Sequence, residues 1–224
     1  MKEQESLKKF KYFFLYVASF NFFCWLPVFF LFFNFHVGSS EVLWLESIYY
    51  FSVTFWEVPS GYFSDYLGRK KTLYFASGSL VAAYLLFCFS SSFEGLAVAQ
   101  ILLGAAFALN SGTDASLLYE SLEQEGNKDA YPELQAKSDQ ISLISTAIAV
   151  IIGGLVAAYD IRLPYALSAF AAVIAFYAVY KLPDPISTQK TTNSFIKQLK
   201  SCFSLALSNP LGWIFLFSAS MTIL

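Results

Sequence analysis

The sequence predicts an all-α integral membrane protein built as a six-helix bundle followed by the start of a seventh span. Three observations carry this. The 224 residues are 57% apolar with a mean hydropathy of +0.55. Only 13% are charged, about half the share of an average soluble domain, so too few charges exist to cover a water-facing surface. The apolar residues fall into stretches of about 20, the length at which a helix crosses a ~30 Å hydrocarbon core. Disorder is excluded by the same composition.

The stretches lie at roughly 12–33, 42–63, 72–92, 95–119, 139–158 and 164–181, and a seventh begins at Pro210. The first follows Lys2, Lys8, Lys9 and Lys11 but is too long for a secretory h-region and lacks a small-residue cleavage site, so it reads as an uncleaved span. Its nine Phe residues read as mostly lipid-facing. Lys and Arg set the orientation. With the N-terminus cytoplasmic, every one of them except Arg162 falls on an inner segment. The outer loops are short and the inner ones longer. Pro183 and Pro185 break span 6 and open a long inner segment. Within it Phe195, Ile196, Leu199 and Phe203 recur at helical spacing, which predicts a surface amphipathic helix. The expected organisation is therefore a six-span unit over 1–182, a cytoplasmic linker over 183–209 and an incomplete seventh span over 210–224. Ending inside a span is expected of a piece of a longer protein.

Several function classes are excluded. The net charge of −2 provides no basic footprint for nucleic acid. One His and three Cys make a metal site or a disulfide framework improbable. There is no phosphate-binding Gly-rich loop with a Lys-Ser/Thr pair, so neither an ATP-driven pump nor a bound cofactor is expected. No enzyme motif appears, and His36, alone in an outer loop, needs no role. A channel would need a filter or a pore ring, and none is present.

The most informative segment lies between spans 2 and 3: Gly61-Tyr62-Phe63-Ser64-Asp65-Tyr66-Leu67-Gly68-Arg69-Lys70-Lys71. A tight inner loop accounts for the cations. Gly68 suits a left-handed turn, Gly61 suits close helix approach, and Asp65 and Arg69 can pair if the turn stays helical. The stretch resembles the signature G-x-x-x-D-x-x-G-R-[RK] of the major facilitator superfamily through Gly61, Asp65, Gly68, Arg69 and Lys70. The resemblance implies twelve spans in two halves, each of inverted three-helix repeats, with this chain as the N-terminal half and a C-terminal half as its partner. It also implies an inner latch in which Asp65 faces the other half and Arg69 reaches Glu120. Two positions depart from patterns common in the superfamily. Gln100 stands four residues before Gly104 where many members carry Arg. Ala149-Val150 precede Gly153-Gly154 where drug/proton antiporters carry Gly-Pro.

Ionisable groups inside spans are functional candidates. Asp114 in span 4 and Glu57 in span 2 are the candidates for proton coupling. Asn110 is one helical turn from Asp114. Nearer mid-depth, Asn21, Trp25, Asn110 and Thr146 are candidates to line a substrate cavity, with interhelical hydrogen bonding as the competing role. Gly104, Ala108 and Gly112 form a small-residue packing face. The expected function is secondary transport of a small organic solute by alternating access, proton-coupled and directed to efflux, in a plasma (inner) membrane. The alternative is a non-transporting remnant or a regulatory membrane subunit.

Overall fold

The computed structural model describes residues 10–185. The amphipathic segment around Phe195–Phe203 and the seventh span from Pro210 lie outside the described residues. Helices α1 (Lys11–Phe20) and α2 (Phe29–Val37) form span 1, and α3 (Ser39–Leu67) forms span 2. Span 3 is α4 (Arg69–Phe89), and span 4 is α5 (Phe93–Asn110) followed by α6 (Thr113–Gln124). Helices α7 (Tyr131–Val156) and α8 (Leu163–Lys181) are spans 5 and 6. The described residues contain no strand. Among the described residues four stretches are long and apolar enough to cross a membrane: Arg69–Phe89, Phe93–Gln124, Lys128–Val156 and Leu163–Lys181. The other two expected spans differ from these for separate reasons. Helix α3 has 29 residues, about 43 Å at 1.5 Å per residue, but carries Glu41, Glu46, Glu57 and Asp65. Span 1 is not one helix.

Span 1 breaks between Asn21 and Val28. Pro27 has no N–H to give, and its ring clashes with the carbonyl four residues earlier. In lipid the freed peptide groups need partners, and neighbouring helices supply them. Cys24 N–H donates to Ser168 Oγ (3.0 Å), Thr146 Oγ1 donates to the Asn21 carbonyl (2.9 Å), and Ser145 Oγ donates to the Ala18 carbonyl (2.5 Å). The break also brings the span 1 backbone onto α7, where a Cβ at Gly153 would collide with the Cys24 peptide.

The reversals are short because glycine makes them. Gly38 (φ 88°) alone joins α2 to α3, and Gly68 (φ 94°) alone joins α3 to α4. The expected loop after span 2 is therefore one residue, and the segment from Gly61 to Leu67 is helical. Span 4 turns at Gly112 (φ 70°). Gly104 packs tightly on Ser52 of α3, whereas open space surrounds Gly112. Only the first of these two glycines serves packing; the second makes the turn.

Helix α5 packs along α3 and α4, α4 along α8, and α1 along α8. The core they enclose is aromatic, with Tyr16, Phe13, Phe20, Phe32, Tyr84, Phe87 and Tyr165 all under 2% exposed. This corrects the expectation that the Phe residues of span 1 mostly face lipid: Phe13, Phe14, Phe20, Phe32 and Phe33 are core, while Phe30 is exposed.

At the end of the bundle away from Arg69, Arg162 ties three connections together. Its guanidinium donates to the Cys88 carbonyl (3.2 Å) and to Ser91 Oγ (2.5 Å), and lies 3.1 Å from His36 Nε2. His36 Nδ1 lies 2.7 Å from the Phe32 carbonyl, so Nδ1 carries the proton and Nε2 accepts from Arg162. His36 is therefore part of a clamp and not a solitary loop residue.

Gly153 and Gly154 provide a matched test of the span 1 junction. Gly153→Ala is expected to cost about 1–3 kcal/mol through overpacking. Gly154→Ala, with nothing within 4 Å of its added methyl, should be neutral or slightly stabilising. Thermal unfolding in detergent compares them, and equal midpoints would refute this account of the junction.

Candidate functional site

The signature residues assemble at one end of the bundle around Arg69, the first residue of α4. Its Nη1 pairs with Asp65 Oδ1 (2.7 Å) and donates to Ser64 Oγ (2.7 Å), both on α3. Its Nε donates to Glu120 Oε1 on α6 (2.9 Å). Thr113 Oγ1 lies 3.2 Å from Ser64 Oγ and extends the network to the start of α6. One guanidinium thus joins spans 2, 3 and 4 through its planar set of donors, which a lysine cannot reproduce. The pair with Asp65 forms across the Gly68 turn. The side chains of Arg69, Asp65 and Glu120 are 18%, 31% and 21% exposed, so their attraction is only partly screened. Glu120 Oε2 is buried and has no hydrogen-bond partner among the described residues.

Lys70 works separately. Its Nζ donates to the Leu182 carbonyl (2.6 Å) and the Tyr180 carbonyl (3.2 Å), satisfying free carbonyls at the end of α8. Gly61 has no atom within 4 Å of an added Cβ, so no close helix approach occurs there among the described residues.

Asp114 stands in the first turn of α6, half-buried, and accepts from the Ala115 N–H (2.7 Å). A carboxylate there is favourably placed against the helix dipole. Asn110 is the last residue of α5 and accepts from Tyr16 OH of span 1 (2.5 Å). The turn at Ser111–Gly112 therefore separates the two residues that a continuous span 4 would place on one face. Glu57 is exposed on α3, and its backbone carbonyl accepts from Ser60 Oγ (2.7 Å).

The mid-depth candidates do not converge on one cavity. Asn21 donates from its side chain to the Val17 carbonyl (2.8 Å) and accepts from Thr146 at its backbone, so both residues serve the break in span 1. Trp25 donates to Tyr84 OH (2.8 Å) and stacks on Tyr165 at 6.3 Å. Trp25 alone of the four lines a cavity of about 170 Å³ with mixed apolar and polar walls, where it meets Glu46, Tyr49 and Gln100. A larger cavity of about 470 Å³, between α1, α7 and α8, is lined by apolar residues with Ser19 and Ser145. Sequence reading overlooked Glu46. Its position in Trp44-Leu45-Glu46-Ser47, an acid in an apolar run, was the available signal. No cluster of His, Cys, Asp or Glu suited to a metal occurs among the described residues.

The Major Facilitator Superfamily model matches residues 10–224, and the chain belongs to that superfamily. It is thereby a multi-pass membrane protein of a transport family and not of an enzyme family. Several solved structures share the fold, among them two of one transporter. One is a peptide transporter POT carrying a Glu-to-Gln mutation, in complex with alafosfalin: TM-score 0.63, 14% identity, 90% of this chain and 45% of that chain covered. The other is the same mutant transporter in complex with sulfate: TM-score 0.60, 13% identity, 95% and 44% covered. The chain thus spans under half the length of either, and at this identity the likeness is one of fold. No curated protein matches the chain.

Arg69→Met is expected to destabilise the bundle by about 1–3 kcal/mol, since it leaves two partly buried carboxylates without their cation. Adding Glu120→Gln should recover part of that loss. Thermal unfolding of the two variants measures both effects. An unchanged midpoint for Arg69→Met would show that the network does not hold the helices together.

Proposed function

We propose that the chain is the N-terminal half of a secondary active transporter that moves a small organic solute by alternating access, proton-coupled and directed to efflux. The supporting observation is the Arg69 network, in which one cation joins the ends of spans 2, 3 and 4 through Asp65 and Glu120. Such a cluster has discrete intact and broken arrangements, as a two-state conformational element needs. In this reading residues 1–182 form the transporter half, 183–209 the cytoplasmic linker and 210–224 the beginning of the second half. The N-terminus and the Arg69 end face the cytoplasm, following the distribution of Lys and Arg. The Asp65, Arg69 and Glu120 group is then an inner latch that favours the outward-open state, with Gly68 as its turn. A C-terminal six-span half supplies the opposing wall.

Asp65→Asn keeps the side-chain shape and removes the charge that faces Arg69. It is expected to shift the conformational equilibrium toward inward-open by about 1 kcal/mol, roughly fivefold in population. Transport by the full-length protein in proteoliposomes should fall while solute binding is kept. Unchanged transport together with unchanged inner-face cysteine accessibility would eliminate the latch.

Proton coupling is assigned to Asp114, with Glu57 as the competing site. Asp114 is the more enclosed of the two, and no Lys or Arg stands on span 4 to neutralise it. A carboxylate inside a span is costly as an ion and can carry a proton between two aqueous faces. Asp114→Asn should abolish accumulation driven by a pH gradient yet leave solute exchange intact. Glu57→Gln, measured alongside, should accumulate normally. Reversal of these results would move coupling to Glu57, and normal accumulation by both variants would remove it from both.

A further inference from the structure

A second polar centre lies between span 1, α3 and α5, some 19 residues along α3 from the Asp65 end. Gln100 of α5 is 2% exposed, and its Nε2 donates to Glu46 Oε1 of α3 at 3.1 Å. Glu46 makes no ion pair among the described residues. A lysine or arginine at position 100 would neutralise Glu46 internally; the neutral glutamine orients the carboxylate and leaves its charge open. An uncompensated carboxylate within a span is expensive, so either a proton or a cation that enters the site balances it.

The surroundings specify what that is. Glu46 opens onto the cavity of about 170 Å³, whose wall includes Trp25, Phe29, Tyr49 and Tyr50. These rings form two edge-to-face pairs, Trp25–Phe29 at 6.4 Å and Tyr49–Tyr50 at 5.1 Å. Trp25 is fixed from behind by its bond to Tyr84 and its stacking on Tyr165. Aromatic faces attract cations, more strongly where water is excluded. At ~30 Å³ per water the volume equals a few waters, enough for an ammonium head group but not for a whole drug-sized solute.

We propose that Glu46, oriented by Gln100 and surrounded by Trp25, Phe29 and Tyr49, binds the ammonium head group of an organic cation. This rests on the transporter reading and names its substrate class. The carboxylate supplies the charge, the rings supply shape and quadrupole, and the rest of the solute extends out of the cavity.

The test uses the full-length protein in lipid nanodiscs, with benzyltrimethylammonium as probe and benzyl alcohol and phenylacetate as neutral and anionic controls. Tryptophan fluorescence and thermal stabilisation should show saturable binding of the cation alone. Glu46→Gln should weaken it by roughly tenfold or more. Gln100→Arg, which supplies an internal cation beside Glu46, should abolish it. In the unmodified protein the cation should protect Glu46 from a hydrophobic carbodiimide, read by peptide mass. Equal binding of all three probes, or cation binding unchanged in both variants, overturns the proposal. So does an equal loss of transport for charged and neutral solutes in Glu46→Gln, which would make Glu46 a proton site. Cysteine accessibility at the two faces tests the transporter reading separately. Cation binding that needs Glu46 with no alternation of access sinks that reading and leaves the site standing. Alternation with cation binding independent of Glu46 sinks the site alone.

Discussion

Every peptide group placed in hydrocarbon must find a hydrogen bond, and the packing around span 1 follows from that requirement. An unbroken helix meets it internally. Span 1 cannot, because Pro27 interrupts the ladder. Peptide groups flanking and within the break are taken up by Ser145 and Thr146 of α7 and Ser168 of α8. Those bonds determine which helices stand next to span 1. They also explain why α7 presents glycine at position 153, where the Cys24 peptide leaves no room for a methyl group. The same unwinding carries Trp25 into the wall of the cavity beside Glu46 and Gln100.

Much of the architecture was legible in the sequence because it depends on one-dimensional patterns. Apolar runs of bilayer length marked the spans, and Gly61, Asp65, Gly68, Arg69 and Lys70 carried the family resemblance. The contact between Arg69 and Glu120, 51 residues apart, was anticipated only because that resemblance implied it. What stayed hidden depends on partners far away in sequence. Hydropathy counts Asn21 to Val28 as an apolar stretch and does not register that one proline has opened it. Thr146 and Asn21 look like cavity-lining polar residues when read singly, and the structure spends the Thr146 hydroxyl on the Asn21 carbonyl and the Asn21 amide on the Val17 carbonyl. The pairing of Glu46 with Gln100 spans 54 positions, and neither residue belongs to the signature. The turn at Gly112 was concealed by its place in a small-residue repeat, where a packing glycine and a left-handed glycine look alike.

Charge is handled differently at the two ends of the bundle. At the Arg69 end the cations are tied to specific acceptors: Arg69 to Asp65 and Glu120, and Lys70 to the last carbonyls of α8. At the opposite end Arg162 is held by a carbonyl, a hydroxyl and the His36 ring. Both networks use the planar geometry of arginine to bind several elements through one side chain. They differ in what opening them costs. Separating Arg69 from its carboxylates parts opposite charges, whereas releasing Arg162 breaks hydrogen bonds to neutral groups. The first is the more expensive step in a low-dielectric setting and falls more steeply with exposure to water and salt.

Helix α3 links the closed and the open polar centres. It is one continuous helix of 29 residues, with Pro59 inside it, and reverses at a single left-handed glycine at each end, Gly38 and Gly68. Asp65 and Glu46 lie 19 residues apart on it, roughly 28 Å at 1.5 Å per residue. Because each reversal is one residue long, α3 cannot change its tilt without moving the end of α2 and the start of α4. A displacement that lifted Asp65 from Arg69 would therefore also alter the fit of Glu46 against Gln100 on α5, the helix along which α3 packs. Distance alone does not make two sites coupled; a shared element with two arrangements does. Here the shared element is a helix with a closed ion pair at one end and, at the other, an acidic side chain bonded to Gln100. A cation that binds Glu46 more tightly in one tilt of α3 shifts the Arg69 network by that difference in affinity and by no more.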